Sequence, residues 1–390
     1  MKVIELTALQ VRIPLRKPVK HASFTRSSTD NVVIRCVLED GTEGYGEGVP
    51  REYVTGESID TVIALLKQSD LGARLEPCAN FAAAVAQAER LQLNPVPGDE
   101  RGCQGNAARC AVELALLDAY GKRFGEPLAA VTRLAAPDLH QPREQVQYSG
   151  AITSARSGLK LRLAAWRMRL YGFHQVKVKV GIEGYDDVYR LRFIRSRCGA
   201  KMDLRIDANE AWKASEMVER MEELAPCRIT AVEQPVPHAE VAGLAAVRKQ
   251  INVPIMFDES LCSMFDARQA VEQQTCDLFN LRLSKCGGFI PSLRLAQFAR
   301  QHGLGYQLGC QVGETAILSA AGRHFATTVR DIRYLEGSYD RHLVQEALAT
   351  SDITFTWGGK AKALPGPGLG VTIDPAALER VTVRKEALIG

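Results

Sequence analysis

The chain opens on strict alternation. VIELTALQVRIPL and NVVIRCVLE each place apolar and polar side chains on opposite faces at a period of two, as half-buried strands do. The stretch EDGTEGYGEG after them predicts a turn-rich return, and Gly44, Gly46 and Gly48 within it read as turn glycines. They do not form a dinucleotide fingerprint, because no helix opens behind them. From residue 58 to 127 the period lengthens to that of helices in IDTVIALLKQ, FAAAVAQAERLQL and AARCAVELALLDAYGKRFG. Strands followed by a run of helices predict an α+β domain over residues 1–130.

The pattern becomes regular from about residue 145. Eight β-rich segments (VQYSGA, QVKVKV, DLRID, ITAVEQP, VPIMFDE, DLFNLRL, GYQLGC and DIRYLEG) alternate with amphipathic stretches. Eight βα alternations without a hairpin signal predict a closed (β/α)8-type barrel over residues 140–360 rather than an open doubly wound sheet. The tail, residues 361–390, carries the turn cluster GPGLG and is expected to pack back on the first domain, completing an α+β cap.

Charges on these strands alter the picture. In QVKVKV, Val176, Val178 and Val180 suit the helix-facing outside, so Lys177 and Lys179 share the inner face, about 6–7 Å apart along the strand. The next three strands end in acids: Asp207, Glu233 and Asp258. Successive intervals from Lys179 through these acids to Lys285 are 28, 26, 25 and 27 residues, about one βα unit each. All five groups therefore converge on the rim where strand C-termini meet. Three carboxylates that close repel one another and call for a cation. An all-oxygen set favours Mg²⁺, with Mn²⁺ as the alternative, over Zn²⁺. Lys285 is expected across the mouth from Lys179, with Gly287 and Gly288 permitting close backbone approach. Glu314, after strand seven, falls where a substrate carboxylate would lie or in the first turn of the next helix.

Composition removes other readings. A chain of 390 residues exceeds the usual size of one core, so two domains are expected. A formal charge of +4 without a run of five like charges excludes a nucleic-acid or acidic-membrane partner. The basic segment from Arg156 to Arg169 reads as a solvated helix face. Ten cysteines without a CxxC pair read as reduced thiols of a cytoplasmic protein, and the first residues look like a strand rather than a signal peptide. No apolar stretch is long enough to span a membrane.

The combination of KxK (Lys177, Lys179), DAN (Asp207 to Asn209), EQP from Glu233, DES from Asp258 and KxGG from Lys285 resembles the enolase superfamily, and within it the muconate lactonizing enzyme subgroup. That resemblance spans nearly the whole chain. It implies Asp207, Glu233 and Asp258 as ligands of Mg²⁺, Lys179 and Lys285 as the acid/base pair, and Lys177 as support for Lys179. It implies a small-molecule carboxylate substrate and, by analogy, a homo-oligomer. Substrate contacts are expected from Asn209 and Glu314. They are also expected from Tyr53 and Thr55, which sit where relatives carry a lid, and from the cap loop with Lys20, His21 and Arg26. Dipeptide epimerases of the subgroup carry Asp-x-Asp after strand eight. Here Asp340 matches the second acid and Ser338 replaces the first, with Glu336 as a nearby substitute. Epimerisation or racemisation of a dipeptide or N-acylamino acid is the first reading. A muconate-type cycloisomerase and an o-succinylbenzoate synthase-like dehydratase are alternatives, and a barrel that has lost catalysis and serves as a scaffold is the non-enzyme reading.

Overall fold

The computed structural model describes residues 1–20, 25–153 and 155–390, without the side chains of residues 19, 20 and 25. The side chain of Lys20 and the whole of His21 in the cap loop fall outside what is described. The alternating N-terminal segments form β1 (Val3–Lys20), β2 (Thr25–Leu38) and β3 (Glu43–Gly48), paired antiparallel in sequence order. The helical stretch includes Ile59–Gln68, Phe81–Arg90 and Asn106–Phe124.

The glycines read as a turn lie instead inside β3. A Cβ at Gly44, Gly46 or Gly48 would fall 2.2, 2.0 and 2.0 Å from backbone atoms of Ala119, Ala111 and Ala107. With Ala115, which a Cβ at Gly44 or Gly46 would also meet, these alanines recur every four residues on Asn106–Phe124 and face glycines two apart on the strand. Helix and strand pack backbone to backbone, a contact that side chains of any size would forbid.

VQYSGA also divides. β4 (Gln145–Gln147) leaves the barrel and pairs antiparallel with a later strand, whereas β5 (Gly150–Ile152) begins it. β6 (Gln175–Lys179), β7 (Asp203–Asp207), β8 (Val232–Glu233), β9 (Ile255–Phe257), β10 (Leu278–Leu281), β11 (Gly305–Leu308) and β12 (Ile332–Leu335) follow, all parallel and in sequence order. The Ser149 N–H, just before β5, donates to the Leu335 carbonyl at 2.8 Å, joining the last strand to the first. The partner of β4 is β13 (Lys360–Lys362), and the terminal β14 (Thr382–Ile389) pairs antiparallel with β1, so the cap sheet runs β14-β1-β2-β3.

The helix Gly158–Leu170 is more than a solvated basic face. Leu161, Ala165 and Met168 pack inward, but Leu159, Leu163, Trp166 and Leu170 form an exposed apolar stripe between the cations. Among the described residues no helix is long and apolar enough to cross a membrane.

Cap and barrel are locked by Glu47 of β3. Its carboxylate accepts from Asn31 Nδ2 at 2.7 Å, from the Thr315 hydroxyl at 2.7 Å and from the Leu318 N–H at 3.0 Å, at the start of the barrel helix Ala316–Thr328. Within the cap, Glu57 accepts from the Gly105 and Ala107 N–H groups, each at 3.0 Å. Burial outweighs these donors and pushes both acids up to about 7. As pH rises from about 4.5 to 7 the unfolded chain loses these protons before the folded chain does, so stability falls through that window. Calorimetric Tm is expected to be higher at pH 5 than at pH 7.5, with a smaller difference in Glu47→Gln.

Candidate active site

The barrel parity places Lys177 and Lys179 inside, with Val176 and Val178 fully buried on the outer face. Lys179, at the tip of β6, donates from Nζ to Asn209 Oδ1 at 2.6 Å. Asn209 follows β7 in a left-handed conformation (φ +43), which asparagine tolerates, and its Nδ2 reaches Glu259 Oε1 at 3.4 Å.

Asp207 and Glu233 are register partners at the ends of β7 and β8, and Asp258 follows β9 immediately. Two cations bridge the three acids. Lys177 Nζ lies 3.3 Å from Asp207 Oδ2 and 3.4 Å from Glu233 Oε1. Arg282, after β10, bonds Asp258 through Nη2 and stands 3.7 Å from Glu233 Oε1. Lys177 also reaches Glu336, after β12, at 2.8 Å, and Arg205 holds the same Glu336 oxygen at 2.6 Å. Arg205, Arg282 and the part played by Glu336 in this network were missed by the motif reading.

Electrostatics follow from crowding in a buried space. Burial, with Asp207, Glu336 and Asp258 nearby, pushes Glu233 up to about 8 despite Lys177. Burial acts the same way on Glu336, but Lys177 and Arg205 overcome it and hold that acid down at about 2. Burial would lower Lys177, yet its three carboxylate neighbours raise it well above the usual lysine range. It therefore acts as a fixed positive charge.

Lys285 does not stand free at the mouth. Its Nζ donates to the Asp258 carbonyl at 2.6 Å, to Asp258 Oδ1 at 3.0 Å and to the Asn280 carbonyl at 2.8 Å, and its side chain is 0% exposed. Three donors are all an ammonium has.

The expected substrate contacts separate into two groups. Tyr53 lies within electrostatic reach of Arg282 and Glu259, and half-buried Arg26 lies near Tyr53 and Arg51. Glu314 is pushed by burial up to about 8 and accepts from the Gln311 N–H at 2.6 Å. Asp340 is 2% exposed and neither carboxylate oxygen has a hydrogen-bond partner. The hydroxyls of Thr55 and Ser338 already have partners. The Thr55 hydroxyl bonds Glu57 at 2.7 Å inside the cap, and the Ser338 hydroxyl accepts from Arg323 at 2.7 Å.

Among the described residues, no three acidic, histidine or cysteine side chains stand together as a finished metal cage, because Lys177 and Arg282 lie between the acids. The donor set still suits a hard divalent cation. Asp207 Oδ2 and Glu259 Oε2 are buried oxygens without a hydrogen-bond partner, and every donor is oxygen. Asp207, Glu233 and Asp258 are the residues that would hold it.

Residues 3–131 match the mandelate racemase/muconate lactonizing enzyme N-terminal domain, and residues 160–377 match the enolase C-terminal domain-like family. The N-succinyl-L-Arg/Lys racemase of Bacillus cereus is 28% identical over 98% of this chain and 98% of its own length. Its crystal structure superposes with a TM-score of 0.86, covering 99% of this chain and 100% of that one. The L-Ala-D/L-Glu epimerase of Bacillus subtilis is 30% identical over 95% of this chain and 97% of its own. A dipeptide epimerase of Cytophaga hutchinsonii, solved with Mg and D-Ala-L-Val, superposes with a TM-score of 0.83 at 26% identity, covering 100% of both chains. With capping sheet, barrel and strand-end acids all in place, the chain belongs to the mandelate racemase/muconate lactonizing enzyme family of the enolase superfamily.

Proposed function

We propose that this protein is a Mg²⁺-dependent enzyme that removes the proton α to a carboxylate and holds the resulting enolate. The observation carrying this reading is an amine, Lys179, held at the barrel rim, where three buried strand-end acids, Asp207, Glu233 and Asp258, share the cations Lys177 and Arg282. When bound, Mg²⁺ supplies positive charge against the enolate oxygens. Lys179 takes the proton. Asn209 aims its amine, and Lys177 supplies fixed positive charge below it without itself exchanging protons. Tyr53 of the cap lies within electrostatic reach of Arg282 and Glu259, where it would reduce access of water.

The relatives support a dipeptide or an N-acylated amino acid as the substrate class, with epimerisation or racemisation as the reaction they favour. Asp340 adds support, as a buried acid without a partner suits the cationic group of such a substrate. Asp340→Asn is expected to weaken binding of a cationic substrate about 10- to 100-fold, from the ~1.5–3 kcal/mol of a charge-assisted bond. The Tm should hold or rise, as an unpaired acid is removed. Calorimetric titration of wild type and variant reads both effects.

A second reading, proton transfer on one face as in cycloisomerisation or dehydration, is favoured by the burial of Lys285. Incubation with Mg²⁺ and a panel of dipeptides, N-acylamino acids and unsaturated diacids in D2O tests the main reading. Mass spectrometry is expected to find deuterium at one α-carbon; a panel that stays unlabelled speaks against it.

A further inference from the structure

The group that faces Lys179 across the barrel is set by the parity of β10. Asn280 Nδ2 points inward to Glu233 Oε1 at 2.8 Å, while Phe279 and Leu281 lie on the alternate face. Arg282, two residues beyond Asn280, continues the inward row. β6 and β10 are four places apart in a ring of eight, so residues at their ends stand on opposite sides. The Arg282 side chain is 12% exposed, against 0% for Lys285, and it lies in the electrostatic field of Tyr53, Glu314 and Glu336. Lys285 sits beneath Asp258 with all three donors spent on it and on the Asn280 carbonyl.

We infer that Arg282, not Lys285, is the cation presented to substrate opposite Lys179, so that protons are moved on the Lys179 face alone. This rests on the enolate reading above and selects its one-face form over epimerisation or racemisation. A guanidinium is a permanent, forked donor: it grips an oxyanion or carboxylate in two places and does not shuttle protons. On the other face, the neutral Lys179 amine takes the α hydrogen as a proton. The C–H electron pair passes into the carboxylate to give the enolate. The ammonium then returns a proton to the same face, and in D2O, after exchange with solvent, a deuteron. The product keeps its configuration and has exchanged one hydrogen. Where the β-carbon bears a leaving group, the same electron pair expels it instead. Lys285 is a strut that fixes Asp258.

The test uses the full-length protein with MgCl2 in D2O and four probes: N-succinyl-L-arginine, N-succinyl-D-arginine, L-Ala-L-Glu and L-Ala-D-Glu. Wild type is expected to label one antipode of a pair, with configuration retained. Arg282→Lys, which places an exchangeable amine on the second face, is expected to label both antipodes and to interconvert them. Interconversion by wild type overturns the inference. If no probe is labelled, the enolate reading fails for these compounds, and the placement of the two cations is decided by thermal unfolding. Lys285→Met is then expected to lose about 5–10 °C in Tm with or without MgCl2, as loss of a fully buried ion-pair partner does. Arg282→Met should return to within about 2 °C of wild type in MgCl2, where a cation again neutralises Asp258. A Lys285→Met protein that melts like wild type, or an Arg282→Met protein that stays low in MgCl2, contradicts the assignment.

Discussion

Lys179→Ala is expected to slow α-proton exchange by about 10²- to 10⁴-fold, the range spanned by general acid–base groups, while the fold persists. The amine is held at the end of β6 by Asn209, and Asn209 keeps its contact with Glu259 once the amine is gone. Truncation therefore leaves no buried charge alone. Deuterium uptake followed by mass spectrometry, with circular dichroism on the same sample, separates lost chemistry from lost structure. Uptake at the wild-type rate would remove Lys179 from the role of base.

Lys177→Met has the larger structural effect. Its ammonium is shared by Asp207, Glu233 and Glu336 within 3.4 Å, and all four side chains are buried. Removing the shared cation leaves three acids facing one another in a low-dielectric space. Losing one partner of a buried pair costs about 3–5 kcal/mol; Arg205 compensates only at Glu336, and Arg282, 3.7 Å from Glu233, leaves Asp207 uncompensated. Thermal unfolding is expected to show a drop of about 5–10 °C without metal. MgCl2 should restore part of it, because a divalent ion among Asp207, Glu233 and Asp258 replaces positive charge and stabilises by mass action. A variant as stable as wild type, or one indifferent to MgCl2, would show that Lys177 does not hold the acids together.

The strand-end row was legible because barrel geometry repeats. Valines alternating with Lys177 and Lys179 disclose which face is inner, and acids one βα unit apart disclose the rim. Arg282 escaped notice although its signal was present: in FNLRL, Asn280 and Arg282 share the parity that Phe279 and Leu281 lack. The interval to Lys285 matched the unit length, and spacing was followed there without the test of face that singles out Arg282. Arg205 carries the same signal, lying two residues before Asp207 on β7.

Other features depend on partners distant in sequence. Gly44, Gly46 and Gly48 look like a turn until the alanine ridge of Asn106–Phe124 is laid against them. The hydroxyl of Ser338 is claimed by Arg323, which no local pattern pairs with it. The split of VQYSGA into β4 and β5 needs β13, more than two hundred residues away, to draw the first half out of the barrel.

The central claim is that a cation-assisted enolate forms under Lys179. Proton NMR of the α-hydrogens of N-succinyl-L-arginine, N-succinyl-D-arginine, L-Ala-L-Glu and L-Ala-D-Glu in D2O reads it directly, with wild type in MgCl2, wild type in EDTA, and Lys179→Ala in MgCl2. The account predicts that the resonance of at least one probe fades only in the first sample. Equal fading in EDTA or with Lys179→Ala, or no fading in any sample, would contradict it.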